Sequence, residues 1–192
     1  MDPFLHKPTL TEGDLVLRPF RREDGGRMLE ILKIPEVLFL TGSVESREEA
    51  ENPTFDAKEI EQWYGSLSTA KNRLDLAIEY KGVVIGELVL NEYDQKKSEA
   101  NFRVLMDTHH TSKKIGSKSI ELFLEYASIN LPIRKIVLGV LEFNDRARHV
   151  YEKVGFTFQY REEKAHRFDG RDYAMDHYER INDNEKNVFS NE

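Results

Sequence analysis

The chain has 192 residues, 39% hydrophobic residues, a formal net charge of −7 and no cysteine. This length and apolar content fit one domain with a hydrophobic core, and a chain without cysteine has no disulfide, no thiol nucleophile and no thiolate metal ligand. The acidic balance, with no membrane-spanning apolar run and no signal peptide, predicts a cytoplasmic protein that binds neither nucleic acid nor membrane.

The first part of the chain begins with a strand pattern and a helix pattern. Leu15 to Phe20 alternates apolar and polar side chains, which predicts a first strand, and Asp24 is placed to cap a helix that Pro35 ends. A polar stretch with five acids and one arginine then runs from Glu45 to Asp56. We interpret it as a solvated loop, with attraction of a cationic substrate as the alternative.

A second helix and three strands follow. Asp56 and Glu59 resemble a capping box, which opens a helix whose apolar face is Ile60, Trp63, Tyr64 and Leu67. Three strands are predicted at 74–80, 83–90 and 102–106, the first two joined as a hairpin. A helix is predicted after Gly116, with Ile120, Phe123, Leu124 and Ala127 on its apolar face.

The last third of the chain contains a buried strand, a short helix and two long strands. Ile136 to Leu141 is almost continuously apolar, which indicates burial on both sides. Two closing strands are predicted at 156–168 and 173–181. We expect residues 1–182 to form a single domain and residues 183–192 to form a polar tail.

The segment from Asn144 to Phe156 is the most informative. Asn144 suits an N-cap, and Gly155 is placed to end the helix in a left-handed conformation. Ala147, Val150, Tyr151 and Val154 fall at i, i+3, i+4 and i+7, which is one helical face. The pattern predicts a short helix that holds the Tyr151 phenol beside a strand end.

This segment resembles motif B of the GNAT superfamily, the acyl-CoA-dependent N-acetyltransferases. The family pattern is an Asn, a small residue three positions on, a Tyr seven positions on, and Gly-Phe at the end. The matching residues are Asn144, Ala147, Tyr151, Gly155 and Phe156. The resemblance implies that Asn144 lies near the coenzyme and that Tyr151 protonates the departing CoA thiolate. The alternative is an ordinary amphipathic helix.

The order of the predicted elements also resembles the GNAT fold, from about Leu15 to Ile181. The opening Leu-Val-Leu-Arg-Pro-Phe and the strand Ile85-Gly86-Glu87 are similar to the Rim-type branch, which includes N-terminal acetyltransferases of ribosomal proteins. The resemblance implies an α/β (α+β) fold, with a central mixed splayed sheet of about seven strands flanked by about four helices. Homodimers are frequent in this family, so a homodimer is possible.

The coenzyme loop of the family reads Gln/Arg-x-x-Gly-x-Gly/Ala and opens a helix whose N-terminus binds the pyrophosphate. The candidate here runs from Thr111 to Lys118, and two registers are open. In one, Gly116 is the first glycine and Lys113 takes the basic position. In the other, which we prefer, Gly116 is the second glycine, and Thr111 and Lys114 replace the basic residue and the first glycine.

The resemblance implies two groups of coenzyme contacts. Pyrophosphate contacts are expected from Lys113, Lys114, Ile115, Gly116 and Ser117. The pantetheine arm is expected to bind the backbone of Val104, Leu105 and Met106, beside a gap where the fourth predicted strand parts from the fifth. An N–H near Met106 is the expected oxyanion donor.

The general base and the acceptor site are less defined. Many relatives place a carboxylate on the fourth strand, at a position taken here by Ala100 or Asn101. Glu87 and Glu99 are the nearest substitutes, and the alternative for each is a surface acid at a strand edge. Trp63 and Tyr64 are expected to contact the acceptor.

The predicted activity is transfer of an acetyl group from acetyl-CoA to a primary amine of a protein N-terminus or a small molecule. The alternative is a GNAT-fold acyl-CoA-binding or regulatory module with little catalysis. No metal is expected, because the adjacent pair His109-His110 lacks a third ligand. Without an evident strong base, α-amines are favoured. A lysine-like amine costs about 4.6 kcal/mol to hold neutral at pH 7, against about 1.4 kcal/mol for an α-amine.

Overall fold

The centre of the structure, a computed structural model, is an eight-stranded sheet formed by the described residues, 2–110 and 114–182. In chain order the strands are Leu10–Glu12 (β1), Leu15–Pro19 (β2), Leu74–Tyr80 (β3), Val83–Asp94 (β4), Glu99–Met106 (β5), Lys135–Leu141 (β6), Thr157–Phe168 (β7) and Arg171–Ile181 (β8). Their spatial order is β1-β2-β3-β4-β5-β6-β8-β7, and only β5 and β6 pair in parallel. The predicted mixed sheet is confirmed, with β1 added to the seven expected strands.

Six α-helices accompany the sheet in the described part of the chain. They are Asp24–Leu32 (α1), Pro35–Leu40 (α2), Arg47–Glu51 (α3), Ala57–Ser66 (α4), Ile115–Asn130 (α5) and Asp145–Lys153 (α6). The four predicted helices are α1, α4, α5 and α6. Pro35 was expected only to end α1, but it also begins α2, where its missing N–H would be unpaired anyway. α3 lies in the segment interpreted as a loop, and Ser46 caps it by accepting the Glu49 N–H at 3.2 Å.

The sheet separates two hydrophobic cores. Successive strand side chains point to opposite faces, so on β5 Phe102 lies in one core and Leu105 in the other. α5 and α6 complete the core around Phe102, and we call that side the α5 face. α1 and α4 complete the core around Leu105 with Met28 and Tyr64, and we call that side the α4 face.

A gap opens in the sheet between β5 and β6. The two strands pair at three positions, the last of which joins Asn101 to Val137. Beyond this point β5 stays with β4 as far as Met106, and β6 stays with β8 as far as Leu141. The splay expected from the family resemblance is therefore present, and we call it the splay gap.

A bulge in β4 determines the face on which Glu87 lies. The register between β3 and β4 shifts so that Ile85 is an additional residue between Val84 and Gly86. A Cβ atom on Gly86 would lie 2.2 Å from the Leu105 carbonyl oxygen, so the close approach of β5 requires glycine here. Directly after the bulge, Glu87 pairs with Leu105 and its side chain points to the α4 face.

A buried ion pair joins β2 to α1. The Arg18 guanidinium donates hydrogen bonds of 2.8 and 2.9 Å to the two Asp24 carboxylate oxygens and one of 2.7 Å to Glu79. Arg18 and Asp24 are only 7% and 6% exposed. Asp24 was expected to cap α1. It is instead the first residue of that helix, and its carboxylate accepts from Arg18 and from the Arg21 N–H.

Replacing Arg18 with methionine is expected to lower the free energy of unfolding by about 3–5 kcal/mol, because Asp24 then keeps a buried charge without its cation. The double variant Arg18→Met, Asp24→Leu should recover part of this loss, since the uncompensated charge is gone. The control is Lys81→Met, whose ammonium lies 3.9 Å from an exposed Asp14 and should contribute less than about 1 kcal/mol. Urea denaturation measures each variant. A loss for Arg18→Met no larger than that of the control would contradict the prediction.

Candidate active site

A cavity of about 450 Å³ occupies the splay gap and is lined from both faces of the sheet. Tyr64 and Glu87 line it from the α4 face, and Tyr151 lines it from the α5 face. The diverging ends of β5 and β6 form its walls. Side chains that a continuous sheet would keep apart therefore share one cavity.

The first turn of α5 presents backbone N–H groups to this cavity. Lys114, Gly116 and Ser117 line it, whereas the Ile115 side chain is buried in the core of the α5 face. The first N–H groups of a helix have no partner inside the helix, and the helix dipole places positive charge at this end. This end of the cavity is therefore suited to an anion such as a phosphate.

The backbone at the start of α5 bears on the two possible registers of the coenzyme loop. Lys114 has a φ of 59°, the left-handed conformation that glycine adopts at least cost. A Cβ atom on Gly116 would lie 3.1 Å from the Met106 sulfur, so this position favours a residue without a side chain. Both observations favour the register in which Lys114 replaces the first glycine and Gly116 is the second. Lys113 and Thr111 lie outside the described residues.

Part of the β5 backbone faces the splay gap. The Asp107 N–H donates to the Ile85 carbonyl of β4 at 2.8 Å, and the Leu105 carbonyl also lies against β4. Because backbone directions alternate along an antiparallel strand, the N–H and C=O groups of Val104 and Met106 point away from β4 and toward the gap. The backbone of Leu105, expected to bind the coenzyme, is turned toward β4, and this residue lines the cavity with its side chain.

α6 holds Tyr151 at the gap. Asn144 caps this helix by accepting the Ala147 N–H at 3.1 Å, and Gly155 ends it with a φ of +93°, as the sequence predicted. The Tyr151 ring packs edge-on against Phe102, and burial raises the pKa of its phenol. Tyr151 and Asn144 both line the cavity, and the Tyr151 hydroxyl has no hydrogen-bond partner within residues 2–110 and 114–182.

The Glu87 carboxyl group lies on the α4 side of the cavity. It is half-buried, and this burial raises its pKa to about 7. Hydrogen bonding from the Tyr64 hydroxyl and the charges of Arg103 and Arg73 lower this pKa, whereas the charge of Asp75 raises it. A carboxyl group that titrates near neutral pH is suited to accept a proton under physiological conditions.

Trp63 and Arg73 form the outer wall on the α4 face. Trp63 is 50% exposed, and the Arg73 guanidinium lies 5.0 Å from its ring centre. Arg73 also donates hydrogen bonds of 2.7 and 2.6 Å to the two oxygens of the buried Asp75. Trp63 and Tyr64, the residues expected to contact the acceptor, thus both lie at this cavity.

The structure does not bring Glu99, the second candidate base, to this cavity. Glu99 lies where β5 and β6 are still paired, and its carboxylate is 2.6 Å from the Lys135 ammonium. A strand rises about 3.3 Å per residue, so Glu99 is about 20 Å along β5 from Leu105. Of the two predicted carboxylates, only Glu87 shares the cavity with Tyr151.

Sequence reasoning missed three guanidinium groups on the cavity wall, those of Arg73, Arg103 and Arg146. Arg103 is the one charge in the apolar run from Phe102 to Met106, and this break in the pattern is the signal that could have identified it. Arg73 directly precedes β3 in a polar turn, where an arginine is common and breaks no sequence pattern.

Two further properties concern only the described ranges. No group of three or more His, Asp or Glu side chains placed to hold a metal ion occurs in residues 2–110 and 114–182. Among the helices of these ranges, none combines the length and apolar character needed to cross a bilayer.

Comparison with known proteins places the chain among acetyltransferases. Residues 14–157 match the model of the family described as "Acetyltransferase (GNAT) domain". Spermidine N(1)-acetyltransferase of Escherichia coli (strain K12) is 26% identical over 143 residues, which are 74% of this chain and 73% of the relative.

Two solved structures share the fold. Spermidine N-acetyltransferase from Vibrio cholerae, in complex with CoA and spermine, has a TM-score of 0.76 at 20% identity. The superposition covers 89% of this chain and 97% of the Vibrio cholerae chain. The ribosomal L7/L12 alpha-N-protein acetyltransferase RimL, in complex with coenzyme A, has a TM-score of 0.74 at 14% identity. The superposition covers 92% of this chain and 99% of the RimL chain.

Proposed function

Because the chain belongs to the GNAT acetyltransferase family, whose cosubstrate is acetyl-CoA, we propose that it transfers the acetyl group to a primary amine by direct attack on the thioester. The observation that carries this proposal is the cavity of the splay gap, which Glu87 lines from one face and Tyr151 from the other. The similar proteins act on spermidine or on a protein N-terminus, and a primary amine is the chemistry that these acceptors share.

Two features of the cavity support the proposed place of the coenzyme. The first turn of α5, with Lys114, Gly116 and Ser117, offers N–H groups and positive charge to the pyrophosphate. The backbone groups of Val104 and Met106 face the splay gap and have no strand partner in residues 2–110 and 114–182, so they can bind the amides of the pantetheine arm. Asn144, another expected contact, lines the same cavity beside Tyr151.

The reaction needs a base, an oxyanion donor and an acid. We assign the base to Glu87, which accepts the ammonium proton, and the oxyanion contact to the Met106 N–H. Tyr151 then donates its proton to the departing thiolate, whose pKa is about 8.5 on the cysteine scale. The second proton that the nitrogen loses as the amide forms restores the phenol. The Tyr151 phenol is protonated at neutral pH at its ordinary pKa near 10, and burial, which raises this pKa, keeps it protonated but makes it a weaker acid.

The activity itself is tested by calorimetric titration with acetyl-CoA and by release of free thiol in the presence of a panel of primary amines. We expect saturable binding, followed by thiol release that depends on the amine. Binding without thiol release from any amine would support the alternative of a coenzyme-binding module. No heat and no thermal shift at millimolar acetyl-CoA would refute both functions.

Tyr151→Phe is expected to lower kcat on the order of tenfold to a thousandfold, because the thiolate loses its proton donor. The dissociation constant of acetyl-CoA should change little, since the aromatic ring and its packing on Phe102 remain. Tyr126→Phe on α5 is the control, because Tyr126 is partly buried but does not line the cavity. Unchanged turnover in Tyr151→Phe would remove this phenol from the mechanism.

Glu87→Gln is expected to lower kcat/KM about 10²- to 10⁴-fold, because the amide cannot accept the ammonium proton. In the wild-type protein Glu87 becomes protonated below a pH of about 7, which should add a falling limb to kcat/KM. The variant should lack this limb and keep only the decline that protonation of the amine itself causes. Glu99→Gln is the matched control and should keep both the activity and the limb, because Glu99 pairs with Lys135 away from the cavity.

A stability measurement separates loss of the base from loss of the fold. The pKa of Glu87 in the folded state, about 7, lies above the ordinary value of 4.5, so ionisation opposes folding. Wild-type stability should therefore decline as the pH rises from 4.5 toward 7, and Glu87→Gln should lack this contribution. Thermal unfolding at pH 8 should find the variant at least as stable as the wild type. Inactivation with a lower Tm at pH 8 would count against the catalytic assignment.

A further inference from the structure

We propose that the acceptor carries an anionic group close to its amine, attached to an apolar body, and that Arg103 binds this anionic group. The inference rests on the proposed function, because it names the chemical class of the amine that reaches Glu87. It separates this chain from enzymes that act on polyamines, which are cationic along their whole length.

The register of β4 and β5 places Arg103 beside Glu87. Glu87 pairs with Leu105, and Val89, two residues further along β4, pairs with Arg103. Glu87 and Arg103 are thus diagonal neighbours on the same face, with Cα atoms about 7–8 Å apart. Their interaction is also electrostatic, since the Arg103 charge lowers the pKa of Glu87. An amine at Glu87 therefore places its nearest substituents within reach of the Arg103 guanidinium.

Arg103 is available to a ligand, whereas its neighbour Arg73 is engaged. Arg73 donates two hydrogen bonds to Asp75, which is 1% exposed, so these two charges compensate each other. Arg103 is exposed, lines the cavity, and forms no ion pair or hydrogen bond with any residue in the described ranges. A guanidinium binds a carboxylate or a phosphonate through two parallel hydrogen bonds, which gives geometric selectivity.

The other charges of the cavity argue against a polycation. The cavity-lining residues in the described ranges that carry a charge at neutral pH are Arg73, Glu87, Arg103, Lys114 and Arg146, so Glu87 is the one carboxyl group among them. A polyamine needs an acidic partner for each further ammonium group, and this wall offers guanidinium groups instead. The acids between Glu45 and Asp56 do not line the cavity and cannot take that role.

The coenzyme does not account for Arg103. The α5 helix, whose first turn is suited to the pyrophosphate, lies on the α5 face together with Phe102. Arg103 is adjacent to Phe102 on β5, so its side chain points to the opposite face, where Tyr64 and Glu87 lie. The cation is therefore on the side from which the acceptor reaches the splay gap.

The rest of this wall fits an apolar body on the acceptor. Leu32 of α1 and Ile60 of α4 line the cavity next to the half-exposed ring of Trp63. An amine with an apolar substituent would bury surface against these side chains while its anionic group pairs with Arg103. Hydrophobic α-amino acids and their phosphonate analogues combine these features in a small molecule.

The test measures thiol release from acetyl-CoA with L-phenylalanine, its aminophosphonate analogue, its amide and spermidine. We expect kcat/KM for at least one of the two anionic amines to exceed those for the amide and spermidine at least tenfold. Comparing L-phenylalanine with its aminophosphonate analogue shows whether the site prefers a carboxylate or a phosphonate. Amidation lowers the pKa of the amine and so favours its neutral form, which means that a preference for the acid cannot arise from amine protonation.

Arg103→Gln should lower kcat/KM for the preferred anionic amine about 10- to 100-fold, because it removes charge-assisted hydrogen bonds. It should change kcat/KM for the amide less than about threefold. Arg103→Lys should be more active than Arg103→Gln, since lysine keeps the positive charge but lacks the planar guanidinium that forms two parallel hydrogen bonds. Arg22→Gln is the matched control, because Arg22 is exposed, forms no ion pair in the described ranges and does not line the cavity.

The outcomes separate this inference from the proposed function. Thiol release that is equal or faster with spermidine or the amide would overturn the inference and leave the acetyltransferase function standing. The same holds if Arg103→Gln affects all amines alike, or raises KM for acetyl-CoA instead. No thiol release from any amine in the wild-type protein would overturn both.

Discussion

The parting of β5 from β6 is the constraint on which the rest of the site depends. Each strand is held by its other neighbour, β5 by β4 as far as Met106 and β6 by β8 as far as Leu141. Neither strand can therefore close the gap, and the backbone groups of Val104 and Met106 have no strand partner in the described part of the chain. Both residues are only half-buried and line the cavity, so their backbone groups are accessible to a ligand. A ligand with amide groups can form hydrogen bonds with these backbone groups of β5. The interruption of the sheet thus provides a binding site for an extended acyl carrier.

The same gap determines how the proposed reaction is arranged. The sheet would otherwise keep Glu87, on the α4 face, apart from Tyr151, on the α5 face. The chain has no cysteine that could carry the acetyl group between two sites. The amine and the thioester must then meet within the gap, with the proton acceptor and the proton donor on opposite sides of the new bond. This arrangement follows from strand pairing and does not need a specialised loop.

The sequence predicted the elements whose signals are local. The Asn144 cap, the Gly155 terminus and the face of α6 follow from short spacings, and the structure contains all three. The position of the base could not be obtained in this way. Glu87 and Glu99 are both acids on strands, and only the bulge at Ile85 and the extent of β5–β6 pairing distinguish them. The register in which the strands pair decides which of the two acids reaches the cavity. A single sequence does not define this register, because its pattern of apolar and polar residues is compatible with many pairings.

The pairing of β4 with β5 places the charge of Arg103 close enough to Glu87 to affect the pKa of the proposed base. Burial raises the pKa of Glu87, and the Arg103 charge acts against this rise. An anionic group bound to Arg103 would neutralise most of that charge, so the opposing effect on Glu87 would weaken. The pKa of Glu87 would then rise further, so the ionised carboxylate would be a stronger base, while a smaller fraction of the group would be ionised at neutral pH. Recognition of the acceptor and activation of its amine would thus depend on the same diagonal pair of β4 and β5, because the two side chains share one face of the sheet.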